Sequence, residues 1–152
     1  MSDPLQRLAE LGLSLPPVAA PAGAYLPALR HGDLIYTSGQ LPLVDGVLAY
    51  TGLVGAEVSV EQAQECARLC ALNALAAVGS LIPLARLTRI VKMTGFVASA
   101  PGFTQQPAVI NGASELLAEV FGDAGRHARS AVGVAALPAG TPVEVELVAA
   151  VG

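Results

Sequence analysis

One long helical pattern decides the fold: SVEQAQECARLCALNALAAVG, residues 59–79. Ser59 and Gln62 form the capping-box pair that marks a helix N-terminus, and Gly79 is typical of a helix end, so the pattern predicts a helix from about Val60 to Val78. Its small and apolar side chains recur on two faces rather than one. Because a helix that is apolar on two sides is normally covered on two sides, we expect this helix to be buried on both.

The segments on either side of this helix predict a mixed sheet and one further long helix. Apolar alternation indicates strands, an amphipathic stripe indicates the second long helix, and Asp45-Gly46 signals a tight hairpin turn. In chain order the predicted elements are a short helix at 3–11, a strand at 33–38, a hairpin within 43–51, the helix at 60–78, a strand at 87–98, a helix at 107–121, and strands at 130–136 and 143–151. Two helices can cover one face of such a sheet, so the predicted fold class is α+β with two layers.

The composition indicates a small protein that associates with copies of itself. A chain of 152 residues predicts a single domain. Apolar residues make up 53% and charged residues 13%, yet no uninterrupted apolar run of about 20 residues suggests a membrane span. The start, Met1-Ser2-Asp3-Pro4, lacks the basic and apolar regions of a signal peptide. We therefore expect a cytoplasmic protein whose second sheet face, still apolar, is covered by a neighbouring subunit.

Cys66 and Cys70 are the chain's two cysteines, and their spacing places both on one face of the predicted helix. A redox or metal pair is one interpretation, but a zinc site needs further ligands and no histidine lies nearby. We interpret both as small buried apolar side chains. The sequence predicts no metal site and no disulfide framework.

Two charged features could form a binding or catalytic site. Arg129 stands at the entrance of a predicted strand, where an arginine can bind a carboxylate through two parallel N–H bonds or remain a solvated loop residue. Glu144 and Glu146 alternate with aliphatic residues, so both carboxylates face one side of their strand. They could accept a proton in catalysis, or they could simply face solvent at the edge of the sheet. A symmetric hairpin of the last two strands would place Glu144 opposite Ala135. Arg129 would then lie opposite Ala150, about 20 Å from Glu144 unless the register differs, a bulge intervenes or a second subunit contributes.

Three segments, in the same order, resemble motifs of the RidA/YjgF family, the reactive intermediate deaminases, which are also called endoribonuclease L-PSP. They are IYTSGQLP at residues 35–42, IVKMTGFV at residues 90–97, and ARSAVGV at residues 128–134, followed by Leu137-Pro138 and by VEVE at residues 143–146. The resemblance assigns residues 18–152 to a single RidA-like domain. Residues 1–17 form an N-terminal helix and connector that extend beyond the short members, as in a longer branch of the family.

The resemblance implies a chorismate-mutase-like fold that forms homotrimers with sites between subunits. It implies hydrolysis of reactive 2-imino and enamino acids, such as 2-aminoacrylate and its imine tautomer, to 2-keto acids and ammonia. Because the carbon of an iminium group is already electrophilic, such chemistry requires no cofactor, no metal and no covalent nucleophile. Such an enzyme needs only to bind the substrate carboxylate and to position a water molecule, since positioning alone removes much of the activation barrier.

Residue roles follow from the same resemblance. Arg129 matches the arginine that holds the substrate carboxylate, and Glu144 matches the acid that orients the attacking water, so both are predicted as catalytic. The other matches are predicted to bind substrate beside Arg129: Tyr25, Ser38, Gly39 and Asn111. Gly39 would also permit an unusual backbone turn at the end of its strand.

Two departures from the family pattern point to a changed pocket: Ala131 stands where many members have cysteine, and Gly95 replaces a bulkier residue. Two alternative functions stay open, a trimer that binds a small carboxylate without turnover and a ribonuclease. The formal charge of 8 − 12 = −4 argues against the ribonuclease and against nucleic-acid partners in general, because RNA affinity depends largely on neutralising phosphates.

Overall fold

The computed structural model describes residues 2–152 and contains a five-stranded sheet, a small hairpin and three α-helices. The helices are α1 (Pro4–Glu10), α2 (Val60–Gly79) and α3 (Gln106–Phe121); the strands are β1 (Ala28–His31), β2 (Leu34–Thr37), β3 (Leu43–Val44), β4 (Val47–Leu48), β5 (Leu87–Ala98), β6 (Ala128–Val134) and β7 (Val143–Val151). Every predicted helix and strand is present. The α+β fold class is therefore confirmed.

Local signals explain the β3–β4 hairpin but not β1. Asp45 and Gly46 have φ angles of 52° and 78°. A two-residue hairpin turn of type I′ requires positive φ angles at both central residues. The predicted hairpin is thus confirmed. β1 was not predicted, because its sequence ALRH buries Ala28 and exposes the other three residues. It exists as an edge strand because it pairs antiparallel with β2.

The strand order of the main sheet is β1-β2-β7-β5-β6. β5 is paired on both sides, antiparallel to β7 and parallel to β6, whereas β2 pairs antiparallel with β7. β6 and β1 are therefore the two edges of the sheet.

The last two strands do not form the symmetric hairpin that the sequence analysis considered. β6 and β7 are consecutive in the chain, but β5 lies between them, and the connector at residues 135–142 passes from one side of β5 to the other. Strand alternation identifies where strands lie but carries little information about which strand pairs with which. The predicted pairing of Glu144 with Ala135 and of Arg129 with Ala150 is replaced by pairs of Glu144 with Phe96 and of Arg129 with Met93.

The core lies between the sheet and helices α2 and α3. Along β7 the odd-numbered residues from Val143 to Val151 are buried, while Glu144 and Glu146 face the opposite side of the sheet. α2 is buried around most of its circumference, as its two-sided apolar pattern predicts. α1 packs on α3, where the Nε of Arg7 donates a hydrogen bond of 2.8 Å to the carbonyl of Glu119.

Two glycines allow α3 to lie unusually close to its neighbours. A Cβ built on Gly112 would overlap the backbone carbonyl of Gln64 on α2, and one built on Gly95 would lie 2.5 Å from the Ile110 side chain. Gly95 thus makes room for α3 on the sheet. The spacing of α3 from both layers depends on these two positions.

Among residues 2–152, no helix combines the length and the apolar character that crossing a lipid bilayer demands.

We predict that Gly112→Ala destabilises the protein, because the added methyl group meets main-chain atoms of α2 that can move only with the helix. The expected loss is about 1–3 kcal/mol, typical of overpacking, and it exceeds the gain of up to about 1 kcal/mol in helix propensity.

The matched control is Gly79→Ala in the last turn of α2. There the nearest heavy atom, on Leu15, lies at an ordinary 3.4 Å, so unfolding in urea should show unchanged or slightly increased stability. Equal effects of the two substitutions would contradict the close-approach interpretation.

Candidate functional site

The predicted arginine lies in a cavity of about 370 Å³ between α3 and the edge strand β6. We call it the α3–β6 groove; its lining residues are Asn111, Ser114, Glu115, Ala118, Arg126, His127 and Arg129. The structure thus brings two of the predicted site residues, Arg129 and Asn111, into one cavity. Asn111 and Ser114 are three residues apart, which places them on one face of α3.

The Arg129 guanidinium is held by α3 while part of it remains available. Nη1 donates to the Ser114 hydroxyl at 3.1 Å, and Nη2 donates to the Pro107 carbonyl at 3.2 Å. A guanidinium has five N–H donors, so within residues 2–152 three of them are left for a ligand. A fixed guanidinium of this kind suits the planar recognition of a carboxylate.

Three other predicted residues form a second group, the Glu144 cluster of Ser38, Gly39 and Glu144. A Cβ on Gly39 would lie 2.8 Å from the Glu144 carboxyl group. The Ser38 hydroxyl donates a 2.6 Å hydrogen bond to the Leu26 carbonyl. Burial raises the pKa of Glu144 above its ordinary value of 4.5, and the negative charge of Glu146 raises it further, so this carboxyl group is a better proton acceptor than an exposed one.

The predicted reason for Gly39 is corrected. Its φ angle is not among the positive values found in the chain, so no unusual turn requires glycine there. Instead, glycine leaves room for the Glu144 carboxyl group, which a larger residue at this position would force to move.

Tyr25 lies next to Leu26, the residue that accepts the hydrogen bond from Ser38. Its hydroxyl accepts a hydrogen bond of 3.1 Å from the Ala22 backbone N–H, and its ring is about half exposed. None of the hydrogen bonds found among residues 2–152 joins Tyr25 to Arg129 or Glu144. Its predicted role in substrate binding stays a prediction.

Arg129 and Glu144 lie on opposite faces of the sheet. Arg129 is opposite Met93 on β5, and Met93 is opposite Leu147 on β7, so all three lie on the side of the sheet that the helices cover. Glu144 precedes Leu147 by three residues on β7, and its side chain points to the open side. With spacings of about 3.3 Å per residue and 4.8 Å per strand, their Cα atoms are about 14 Å apart. The predicted separation of about 20 Å was too large because it assumed the wrong strand pairing. Even so, one copy of the chain does not place both groups around one small molecule.

Two residues of the groove were missed as functional candidates. Ser114 Oγ lies 3.0 Å from His127 Nε2, and His127 Nδ1 lies 2.6 Å from the Gly125 carbonyl oxygen. Burial lowers the pKa of His127, and the nearby Arg129 charge lowers it further despite the opposing hydrogen bond to Gly125. Sequence offered one signal: Ser114 follows Asn111 by one helical turn, and His127 precedes Arg129 by two residues, so each lies on the same side as a predicted site residue.

A larger cavity, of about 640 Å³, lies where α1 meets the C-terminal end of α3, and Arg7, Glu119 and Phe121 help to line it. None of the predicted site residues borders it. Its arginine is already engaged by the Glu119 carbonyl and the Glu10 carboxylate. We therefore place the candidate site in the α3–β6 groove and the Glu144 cluster.

Cys66 and Cys70 are fully buried, and within residues 2–152 no group of three or more potential ligands could hold a metal ion. Burial raises the pKa of Cys66 to about 12, and burial likewise raises that of Cys70. The Cys70 thiol contacts the Val143 carbonyl at 3.7 Å. Both therefore behave as core side chains.

We predict that neither thiol reacts with a disulfide reagent at pH 8 in the native protein. With a pKa of about 12 for Cys66, only about one molecule in 10⁴ carries the reactive thiolate, compared with a quarter or so of an exposed cysteine. Unfolding in guanidinium should release two reacting thiols per chain. Rapid labelling without denaturant would contradict the assignment to the core.

Comparison with known proteins extends this picture. The family model described as "YjgF/chorismate_mutase-like, putative endoribonuclease" matches residues 5–151. Protein TCP17 of Trypanosoma cruzi is 47% identical over 141 residues, which cover 91% of this chain and 88% of that protein. The crystal structure of Atu1372, a protein of unknown function from Agrobacterium tumefaciens, superposes with a TM-score of 0.92 at 47% identity, covering 98% of this chain and 92% of that one. Escherichia coli TdcF, solved with bound serine, aligns with a TM-score of 0.62 at 27% identity and covers 91% and 93% of the two chains.

The fold and the site together define an α+β protein of the chorismate-mutase-like class. The chain belongs to the YjgF family, because the family model matches nearly its whole length.

Proposed function

We propose that this protein hydrolyses small 2-imino acids to 2-keto acids and ammonia, with Arg129 binding the substrate carboxylate. The observation that carries the proposal is the state of the guanidinium: it is fixed by Ser114 and Pro107, it borders an open groove, and it retains three N–H donors. Prepositioned charged donors bind a carboxylate more strongly than mobile ones. The serine bound to TdcF, a member of the same fold, supports a ligand of this size with a carboxylate.

In the proposed mechanism Glu144 supplies the base. A water held by Glu144 attacks C2 of the iminium, and its proton passes to the carboxylate as the C–O bond forms. The C=N π electrons move to nitrogen, and Glu144 then returns this proton to the nitrogen of the tetrahedral carbinolamine. As the C–N bond breaks, the hydroxyl group loses its proton to the Glu144 carboxylate and becomes the carbonyl of the 2-keto acid. The departing ammonia takes up that proton and leaves as ammonium, which regenerates the carboxylate. The raised pKa of Glu144 supports this role, since a general base works best when its pKa approaches the operating pH.

The proposal includes a second copy of the chain. Arg129 and Glu144 lie on opposite faces of the sheet, so in this proposal the groove of one copy faces the Glu144 cluster of another. The family resemblance supports a homotrimer as the assembly. The open sheet face supports it, because exposed Tyr36 and Val132 and half-buried Phe96 lie there. Apolar side chains on an open sheet face are commonly covered by association.

The central test couples the protein to a pyridoxal-phosphate dehydratase that generates 2-aminoacrylate and follows pyruvate release. We expect the protein to accelerate release beyond the rate of spontaneous hydrolysis. Pyruvate binding by calorimetry without acceleration would instead favour a binding protein, and cleavage of labelled RNA would favour the ribonuclease. Either result would overturn the proposed hydrolysis.

We predict that Arg129→Ala lowers kcat/KM about 100-fold, because the loss of two charge-assisted hydrogen bonds to a carboxylate costs about 3 kcal/mol. Arg129→Lys should recover only part of the activity, since an ammonium group lacks the planar fork.

The matched control for these variants is Arg30→Ala. It removes the same charge from β1, at the opposite edge of the sheet, where Nε donates to the Gly32 carbonyl. Its rate should stay within two-fold of wild type. Circular dichroism and sedimentation should show that all three variants keep the fold and assembly, and equal rates for Arg129→Ala and Arg30→Ala would refute the assigned role.

We predict that Glu146→Gln shifts the acid limb of the pH–rate profile to lower pH. The negative charge of Glu146 raises the pKa of Glu144, so removing it lowers that pKa and keeps the Glu144 carboxylate ionised in more acidic solution. Glu61→Gln on α2 removes a charge elsewhere and should leave the limb in place. A limb that stays fixed or moves to higher pH in Glu146→Gln would show that Glu144 is not the titrating base.

A further inference from the structure

Ser114, His127 and Arg129 form a hydrogen-bonded chain that ends on the backbone at Gly125. The distances are 3.1 Å from Arg129 Nη1 to Ser114 Oγ, 3.0 Å from Ser114 Oγ to His127 Nε2, and 2.6 Å from His127 Nδ1 to the Gly125 oxygen. The chain joins α3, the segment after it and β6, three parts of the fold that meet at the groove.

The donor and acceptor properties of these groups fix the direction of each hydrogen bond in the series. A backbone carbonyl only accepts hydrogen bonds, so the hydrogen on His127 must sit on Nδ1. The neutral ring then accepts at Nε2, and the Ser114 hydroxyl hydrogen must point to it. This leaves the Ser114 oxygen lone pairs facing Arg129, whose guanidinium can only donate. The lowered pKa of His127 keeps the ring neutral near pH 7, as this arrangement requires.

The backbone is built to bring His127 to Ser114. A Cβ on Gly125 would overlap the carbonyl of Leu117, so glycine lets the turn after α3 fold directly onto the helix. Leu117 is one helical turn beyond Ser114, and His127 follows Gly125 by two residues. The close approach therefore sets the distance between the imidazole and the hydroxyl.

We propose that Ser114 and His127 are positioning residues that hold the Arg129 guanidinium in the orientation needed to bind a substrate carboxylate. The inference rests on the proposed function and adds to it two residues outside the set that the family resemblance supplies. Ser114 fixes Nη1 directly, and His127 acts through Ser114 by fixing the direction of its hydroxyl. Arg129 thus reaches the groove already oriented, which reduces the conformational freedom lost on binding.

The test measures pyruvate binding by calorimetry and 2-aminoacrylate hydrolysis in the assembled protein. Ser114→Ala should weaken pyruvate binding about five-fold, because a released arginine side chain loses its freedom of rotation when the ligand binds, while kcat at saturating imine stays within about two-fold of wild type. Ser114→Thr should recover most of the affinity because it keeps the hydroxyl. His127→Gln, which can still accept a hydrogen bond near the position of Nε2, should bind better than His127→Leu.

Ser80→Ala is the matched control, because the single hydrogen bond that the Ser80 hydroxyl makes among residues 2–152 goes to the Ala77 carbonyl at the end of α2. Its affinity and rate should equal those of wild type. Equal affinity of Ser114→Ala and wild type, or failure of Ser114→Thr to recover binding in a folded protein, would overturn the proposal.

A second readout separates this inference from the proposed function. Nitrogen NMR of the free protein should show His127 protonated on Nδ1 and slow rotation of the Arg129 guanidinium that becomes fast in Ser114→Ala. If wild-type protein neither hydrolyses the imine nor binds pyruvate, the proposed function fails. The rotation rate of the Arg129 guanidinium still tests whether Ser114 holds that group in place. Rotation equally fast in wild type and Ser114→Ala would reject it, whatever the activity.

Discussion

The parallel pairing of β6 with β5 is the constraint on which the rest of the site depends. Its register sets Arg129 beside Met93, on the face of the sheet that α3 covers. Had β6 instead paired with β7 as a hairpin, Arg129 would lie opposite Ala150 on the open face, which is also the face of Glu144. One pairing choice therefore decides whether the two charged groups share a surface. In the observed fold they are divided between the helix-covered and open sides, and each gains its own supporting contacts.

Local sequence patterns predicted most elements because helices and strands depend on neighbouring residues. The capping pair of Ser59 and Gln62 is present as predicted, and the residues at 45 and 46 adopt the turn conformations that their types favour. Strand pairing is different, since it depends on residues far apart in the chain. The connector at residues 135–142 is compatible with a hairpin or with passage across β5, and nothing in its composition distinguishes the two. β1 escaped prediction for a related reason, because only Ala28 is buried and the strand is stabilised by its partner β2.

Part of the candidate site was identified from residue identities in the sequence, but its arrangement was not. The family resemblance identified Arg129 and Asn111, and the structure places both in one groove. It could not show that Ser114 and His127 meet, because their contact depends on the approach of the turn at Gly125 to α3. The role of Gly39 was also inaccessible, since a glycine that provides space for a distant carboxyl group looks in sequence like one that provides a turn. Contacts between elements, rather than residue identities, supply what the sequence left out.

The division of the site has an electrostatic consequence for the proposed assembly. Within one copy, burial and the neighbouring Glu146 raise the pKa of Glu144, so its neutral form is favoured more than in water. A guanidinium brought near by a second copy would act in the opposite direction, because a positive charge favours the carboxylate. When a substrate carboxylate then binds to that guanidinium, part of its charge is neutralised and the pKa of Glu144 rises again. Assembly would in this way keep the base ionised before substrate arrives, and substrate binding would increase its affinity for the proton of the attacking water. Under the proposed mechanism, a single copy would therefore be inactive, and catalysis would occur only where two copies meet.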